Sequence, residues 1–128
     1  MPSSMLHSPD APLPIGPYAQ ATTAGGFIFT SGQLGVDPQT GALVSGGVEA
    51  QAARALENLR QVLGAGGADF SDVVATVIYL TDLSHFKAIN ELYERAMDGS
   101  KPARTTVQVA ALPLGAGVEI AMTAFRGD

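Results

Sequence analysis

Cysteine is absent from this 128-residue chain and charge is scarce: charged residues make up 15% of it, against 46% hydrophobic. Without cysteine there are no disulfides and no thiolate metal ligands, which fits a reducing compartment, the cytoplasm. A domain that coats its whole surface alone usually gives about a quarter of its residues to charge. The shortage therefore suggests surface hidden in an oligomer. Positive charge is thinnest: Arg54, Arg60, Lys87, Arg95, Lys101, Arg104 and Arg126 are scattered, and the net charge is −5. No basic stripe exists to neutralise phosphates, which argues against nucleic acid as a partner. Apolar runs fall short of the roughly 18 residues of a membrane span. The opening MPSSMLHSPDAPLP has no basic segment followed by an apolar one, so no secretory signal is expected. His7 and His85 stand alone and provide no metal constellation.

What is present reads as a single domain over 1–128. Residues 1–17 hold five prolines, the mark of an extended arm rather than a helix, and 1–14 form the arm proper. Tyr18 to Thr23 alternates weakly, and Gly25-Gly26 turns the chain into a second strand, FIFTSG (27–32). Asp37-Pro38-Gln39-Thr40-Gly41 has the residues of a type I turn. A helix is expected from Val48 to Leu63. Val48, Ala52, Ala55, Leu56, Leu59, Val62 and Leu63 make its apolar stripe, with Glu49, Gln51, Arg54, Glu57, Arg60 and Gln61 facing away. Gly64 to Gly67 ends that helix; with no strand before it and no Gly-Lys-Ser/Thr after it, the cluster is no phosphate loop.

VVATVIYL (73–80) is a β-branched run suited to a strand buried on both faces. Thr81-Asp82 can cap a second helix, about Leu83 to Met97, with Phe86, Ile89, Tyr93 and Met97 inward. Strands at about 104–110 and 118–126 complete a β-β-α-β-α-β-β order, an α+β fold with helices on one sheet face. Strand alternation groups Glu119, Ala121 and Thr123 on one side of the last strand and Arg104, Thr106 and Gln108 on one side of its predecessor. If the bulkier apolar sets meet the helices, these six residues share the uncovered face, and Arg104 and Glu119 lie together at a subunit interface.

An arginine at a strand start offers a planar fork of donors for a carboxylate. A glutamate on the same face can orient a water or take its proton, with partial burial raising its pKa. The residue types alone leave three readings: a structural ion pair, two solvated edge charges, or a site where a small carboxylate reacts with water. No nucleophile–base pair supports acyl transfer.

The stretch PARTTVQVAALPLGAGVEIAM (102–122) resembles the signature of the Rid (YjgF) family of enamine/imine deaminases. The likeness continues through IGPYAQA (15–21), FIFTSGQLGVDPQTG (27–41), VEAQAARALENLRQVL and VVATVIYLTDLSHFKAINELYE, from Ile15 onward and in matching order. It implies a chorismate-mutase-like mixed sheet with two helices on one face, in a homotrimer whose sheets line a central β-barrel. The last strand would insert between earlier ones, and ligands would bind in the three clefts between subunits. The implied activity is hydrolysis of 2-aminoacrylate, 2-aminocrotonate and related enamine/imine acids to 2-keto acids and ammonia, without cofactor or metal.

By the same resemblance Arg104 would anchor the substrate carboxylate and Glu119 would activate water. Tyr18 would pack on the substrate, Ser31, Gly32 and Thr106 would supply backbone or hydroxyl contacts, and Asn90 would support the cleft. Three positions depart from the family pattern: Thr106 stands where some members have cysteine, Lys101 where many have an aromatic residue, and Ala121 where a second glutamate is common. Two other readings stand beside the enzyme. One is a non-catalytic trimer that binds small carboxylates and regulates or protects partners; the other, disfavoured by the acidic charge, is an endoribonuclease or translation inhibitor.

Overall fold

The computed structural model describes residues 4–127; Met1–Ser3, the first residues of the expected arm, and Asp128 lie outside the described residues. Six strands form one sheet: β1 (Ser4–Leu6), β2 (Ala21–Ala24), β3 (Phe27–Thr30), β4 (Val73–Leu80), β5 (Ala103–Gln108) and β6 (Val118–Phe125). Two helices, α1 (Gly47–Ala65) and α2 (Phe86–Met97), complete the α+β fold. The spatial order is β1-β2-β3-β6-β4-β5. Every pairing is antiparallel except β4 with β5, which α2 joins as a parallel crossover. The last strand thus inserts between β3 and β4, as the resemblance implied. The arm is not wholly loose, because β1 adds an edge strand to β2.

Local chemistry accounts for the elements. Leu59, Val62 and Leu63 of α1 are fully buried against Ile28, Ile78, Ile120 and Met122 of the sheet. The helix stops where Gly66 N–H turns back to Leu63 O and Gly67 takes φ +76°, which an L side chain resists. Asp82 accepts from Ser84 N–H and starts a short 3-10 turn at Leu83–His85, which leads into α2. Two expected solvent-facing residues of α1 are engaged instead. Gln51 accepts from Gly117 N–H at 2.8 Å, and Arg54 donates twice to the buried Asn58, whose amide holds Leu34 O and Val36 O. On α2, Ile89, Tyr93 and Met97 are buried as expected, but Phe86 is 40% exposed.

The register corrects the expected sidedness of β5. Thr76 of β4 stands beside Arg104 on one flank and Met122 on the other, and Ile78 stands between Thr106 and Ile120. Side chains level with one another across neighbouring strands share a face. Arg104, Thr106 and Gln108 therefore lie on the helix side with the buried Ile78, Ile120 and Met122, and Gln108 accepts from Leu83 N–H at 2.9 Å ahead of α2. Glu119, Ala121 and Thr123 lie on the uncovered side with Val77, Tyr79, Thr105 and Val107. The six residues are divided three and three. The expectation failed because β5 is an edge strand whose more apolar side, Val107, is the uncovered one, so "apolar inward" inverts its two faces.

Candidate functional site

On the helix side, Arg104 rises from the edge strand toward α2. Its guanidinium carbon sits 5.1 Å from the ring centre of Tyr93 and 5.6 Å from that of Phe86, a cation–π seat that holds the fork without using its donors. Tyr93 is fixed in turn by a 2.9 Å bond between its hydroxyl and Thr76, and burial raises its pKa above the ordinary value. Helical spacing puts Asn90 on the stripe between Phe86 and Tyr93. Thr106, two residues along β5, carries a buried hydroxyl with no hydrogen-bond partner among the described residues. No carboxylate among the described residues pairs with Arg104. An arginine with free donors beside an unpartnered hydroxyl is half of an anion site.

The other half lies on the uncovered face. Glu119 leaves β6 beside Tyr79, is part-buried, and has its pKa raised above the ordinary 4.5 by loss of solvent. Its carboxylate makes no hydrogen bond or ion pair with any described residue. Gly32 forms the backing: a Cβ there would collide with the carboxylate and lie 2.7 Å from its carbon. Gly32 is thus the glycine whose missing side chain the site requires. Ser31 precedes it and is tied down, its hydroxyl donating to Ala19 O at 2.6 Å and its N–H to Gln20 O at 2.9 Å.

A cleft of about 370 Å³ opens from Gly32 and is walled by Tyr18, Ile15 and Pro12 of the arm, with Leu114 among its other lining residues. Leu114 takes φ +61°, a left-handed conformation unusual for leucine, and is exposed in the connection before β6. Strain at such a point is typical of a binding rim.

Glu119 with its Gly32 backing therefore lies on the uncovered side of the sheet and Arg104 and Thr106 on the other; Tyr18 lines the cleft that Gly32 also borders, Ser31 is held by Ala19 and Gln20, and Asn90 sits on α2. Within one chain Arg104 and Glu119 lie on opposite faces and do not pair, so an ion pair between them inside a single chain is excluded. Sequence reasoning missed Gln20, Asn58 and Leu114. Gln20 and Asn58 carried a faint signal, as amides within otherwise apolar segments; the backbone of Leu114 carried none.

A mixed sheet with an inserted last strand, carrying a half-buried glutamate on one face and a free arginine on the other, defines a class of fold and site. A family model described as Endoribonuclease L-PSP matches residues 8–126, and the chain belongs to this family, the Rid (YjgF) family. It is 54% identical over 117 residues to protein DfrA of Myxococcus xanthus, covering 90% of this chain and 89% of that one. It is 46% identical over 123 residues to the 2-iminobutanoate/2-iminopropanoate deaminase of Mus musculus, covering 96% and 91%. Among solved structures, E. coli TdcF with bound serine superposes with a TM-score of 0.91 at 38% identity, covering 96% of this chain and 98% of that one.

Proposed function

We propose that this protein is a cytoplasmic enamine/imine deaminase that converts acids such as 2-aminoacrylate and 2-aminocrotonate to 2-keto acids and ammonia, limiting the damage these reactive species do. The observation that carries the proposal is Glu119: a part-buried carboxylate with a raised pKa and no partner among the described residues, backed by Gly32, which itself lines the neighbouring cleft. Names of relatives support it, since proteins 44–46% identical are called 2-iminobutanoate/2-iminopropanoate deaminases.

The site is completed between subunits of a homotrimer whose uncovered sheet faces line a central barrel. One chain gives Arg104, Thr106 and Asn90; its neighbour gives Tyr18, Ser31, Gly32 and Glu119. Arg104 grips the substrate carboxylate with two parallel N–H donors. The enamine takes a proton from solvent on its terminal carbon and becomes the iminium, the protonated imine. Glu119 removes a proton from a water as the water oxygen bonds to the imine carbon, giving a carbinolamine. Glu119 passes that proton to the nitrogen, the C–N bond breaks as the hydroxyl gives its own proton to solvent and collapses to the carbonyl, and ammonia leaves. The substrate is already reactive, so positioning and one acid/base group suffice, and no cofactor is invoked.

The test generates 2-aminoacrylate with a serine dehydratase and follows keto-acid release. Wild type accelerates release, and Arg104→Ala lowers kcat/KM about 100-fold, the scale of losing a charge-assisted bidentate contact. A wild type that accelerates no amino-acid-derived imine overturns the reading. Binding of small keto acids without turnover would then favour the non-catalytic carboxylate-binding protein.

A further inference from the structure

Four prolines between residues 9 and 17 remove backbone donors from the arm, which therefore cannot continue the β1–β2 ladder. Its carbonyls and the N–H of Ser8 still need partners, and one buried side chain supplies them. Gln20, 2% exposed, accepts from Ser8 N–H at 2.6 Å through Oε1. Its Nε2 donates to Ser8 O at 3.1 Å and Pro12 O at 2.9 Å, with a longer approach to Ala11 O at 3.4 Å. The main chain of the same residue faces the site, because Gln20 O receives the N–H of Ser31, the residue before Gly32. One residue thus ties the arm by its side chain and the glycine backing of Glu119 by its backbone.

What Gln20 holds in place is apolar. Ile15 is 81% exposed and Tyr18 52% exposed on the arm wall of the cleft, and Leu114 is 57% exposed on its rim. Such a surface grips the side chain of a substrate rather than its carboxylate or its nitrogen.

We propose that Gln20 is a positioning residue that registers the apolar arm against the cleft wall at Gly32, the residue that backs Glu119, and that this apolar wall selects substrates by the length of their apolar side chain. The proposal rests on the deaminase reading. A released arm leaves Arg104 and the water-activating carboxylate untouched but forfeits the contact with the side chain. A substrate with a branched four-carbon side chain then loses more than one with a single methyl.

The experiment compares imines generated in situ by an amino-acid oxidase from leucine and from alanine. In Gln20→Ala the KM of the leucine-derived imine rises about tenfold more than that of the alanine-derived imine, the scale of one or two lost amide bonds and a loosened wall. The fall in kcat is smaller than the rise in KM, and hydrogen exchange of residues 8–18 quickens. A loss confined to kcat, equal for both substrates, shows a merely structural role and overturns the proposal. So does an unchanged KM ratio with a demonstrably released arm. Ile15→Ala, which alters the wall at an exposed position, shifts the same ratio in the same direction even if Gln20→Ala folds poorly; no shift there also overturns it. A wild type that accelerates neither imine refutes the deaminase reading instead. The affinities of 4-methyl-2-oxopentanoate and pyruvate, measured by calorimetry on both proteins, then decide whether Gln20 positions the wall.

Discussion

The two faces of the sheet are built from the same strands yet obey different rules. On the covered face Val118, Ile120, Met122 and Ala124 alternate inward and are at most 2% exposed against the helices. On the other face Phe27, Phe29, Phe125 and Val107 stand 37–46% exposed, and Glu119 is the one charge that β3 to β6 place there. Phe27 packs 4.8 Å from Phe125, centre to centre, so the apolar residues form a patch and not a scatter. An ordinary antiparallel sheet solvates its second face with polar residues. This one does not, and a face so poor in charge calls for a cover. In the proposed homotrimer a second copy of the chain would meet that need and would bring Glu119 and Arg104, which one chain places on opposite sides of its sheet, to a shared cleft.

Substitutions that treat the two faces differently can break this comparison. Ile120→Ala opens a cavity in the covered core and lowers unfolding free energy by about 2–5 kcal/mol, measured by urea denaturation. Phe125→Asp removes apolar area that the single chain does not bury. Its effect on the fold of an isolated chain is expected to stay below about 1 kcal/mol, while light scattering shows the assembly falling to single chains. If Phe125→Asp unfolds the chain as severely as Ile120→Ala, the uncovered face is core and the distinction fails. Gly32→Ala sharpens the contrast within the site. Its Cβ pushes the Glu119 carboxylate aside, so kcat falls by about 100-fold with the fold retained. Full activity in that variant would mean Glu119 does not work from this position.

Legibility in the sequence followed the same division. The stripe of α1 from Val48 to Leu63 and the alternation of β6 were readable because one face of each packs on helices and hydrophobic period then reports geometry. The run of β4 is a strand as expected but is buried on one face only, through Val73, Thr76, Ile78 and Leu80, while Val74 is exposed. A turn at Asp37–Gly41 was readable from its residues: Asp37 accepts the Gln39 N–H through its side chain and the Gly41 N–H through its carbonyl, a bond that closes five residues where the expected type I turn closes four. The strand β5 was not. Its apolar Val107 points to a face that the single chain leaves open, and Arg104 points at two aromatic rings of α2, so polarity ran opposite to burial. The site residues were named by resemblance, yet their distribution over two faces needed the register of β4 with both neighbours. Gln20 escaped because its work is done on carbonyls that proline-rich sequence leaves without ladder partners.

Glu119 allows the finest test of the comparison, because it sets a charge within the apolar face. Loss of solvent raises its folded pKa above the ordinary 4.5, so the folded chain holds this proton at pH values where the unfolded chain has released it. Stability from this group is therefore fully present below about pH 4.5 and declines as pH rises through the raised value, after which it stays low. Glu119→Gln carries no such penalty. Its melting temperature should match wild type at acid pH and exceed it by roughly 1–3 °C at neutral pH, a small margin because the group is only part-buried. Activity moves the other way, since only the ionised carboxylate can take a proton from water, and keto-acid release by wild type falls away on the acid side with a midpoint above the ordinary 4.5. A variant that is more stable at neutral pH and nearly inactive fits a working carboxylate held against its preference by the fold. A Glu119→Gln protein less stable than wild type at neutral pH would mean instead that a cation, such as Arg104 from a neighbouring copy, already compensates the charge before any substrate arrives.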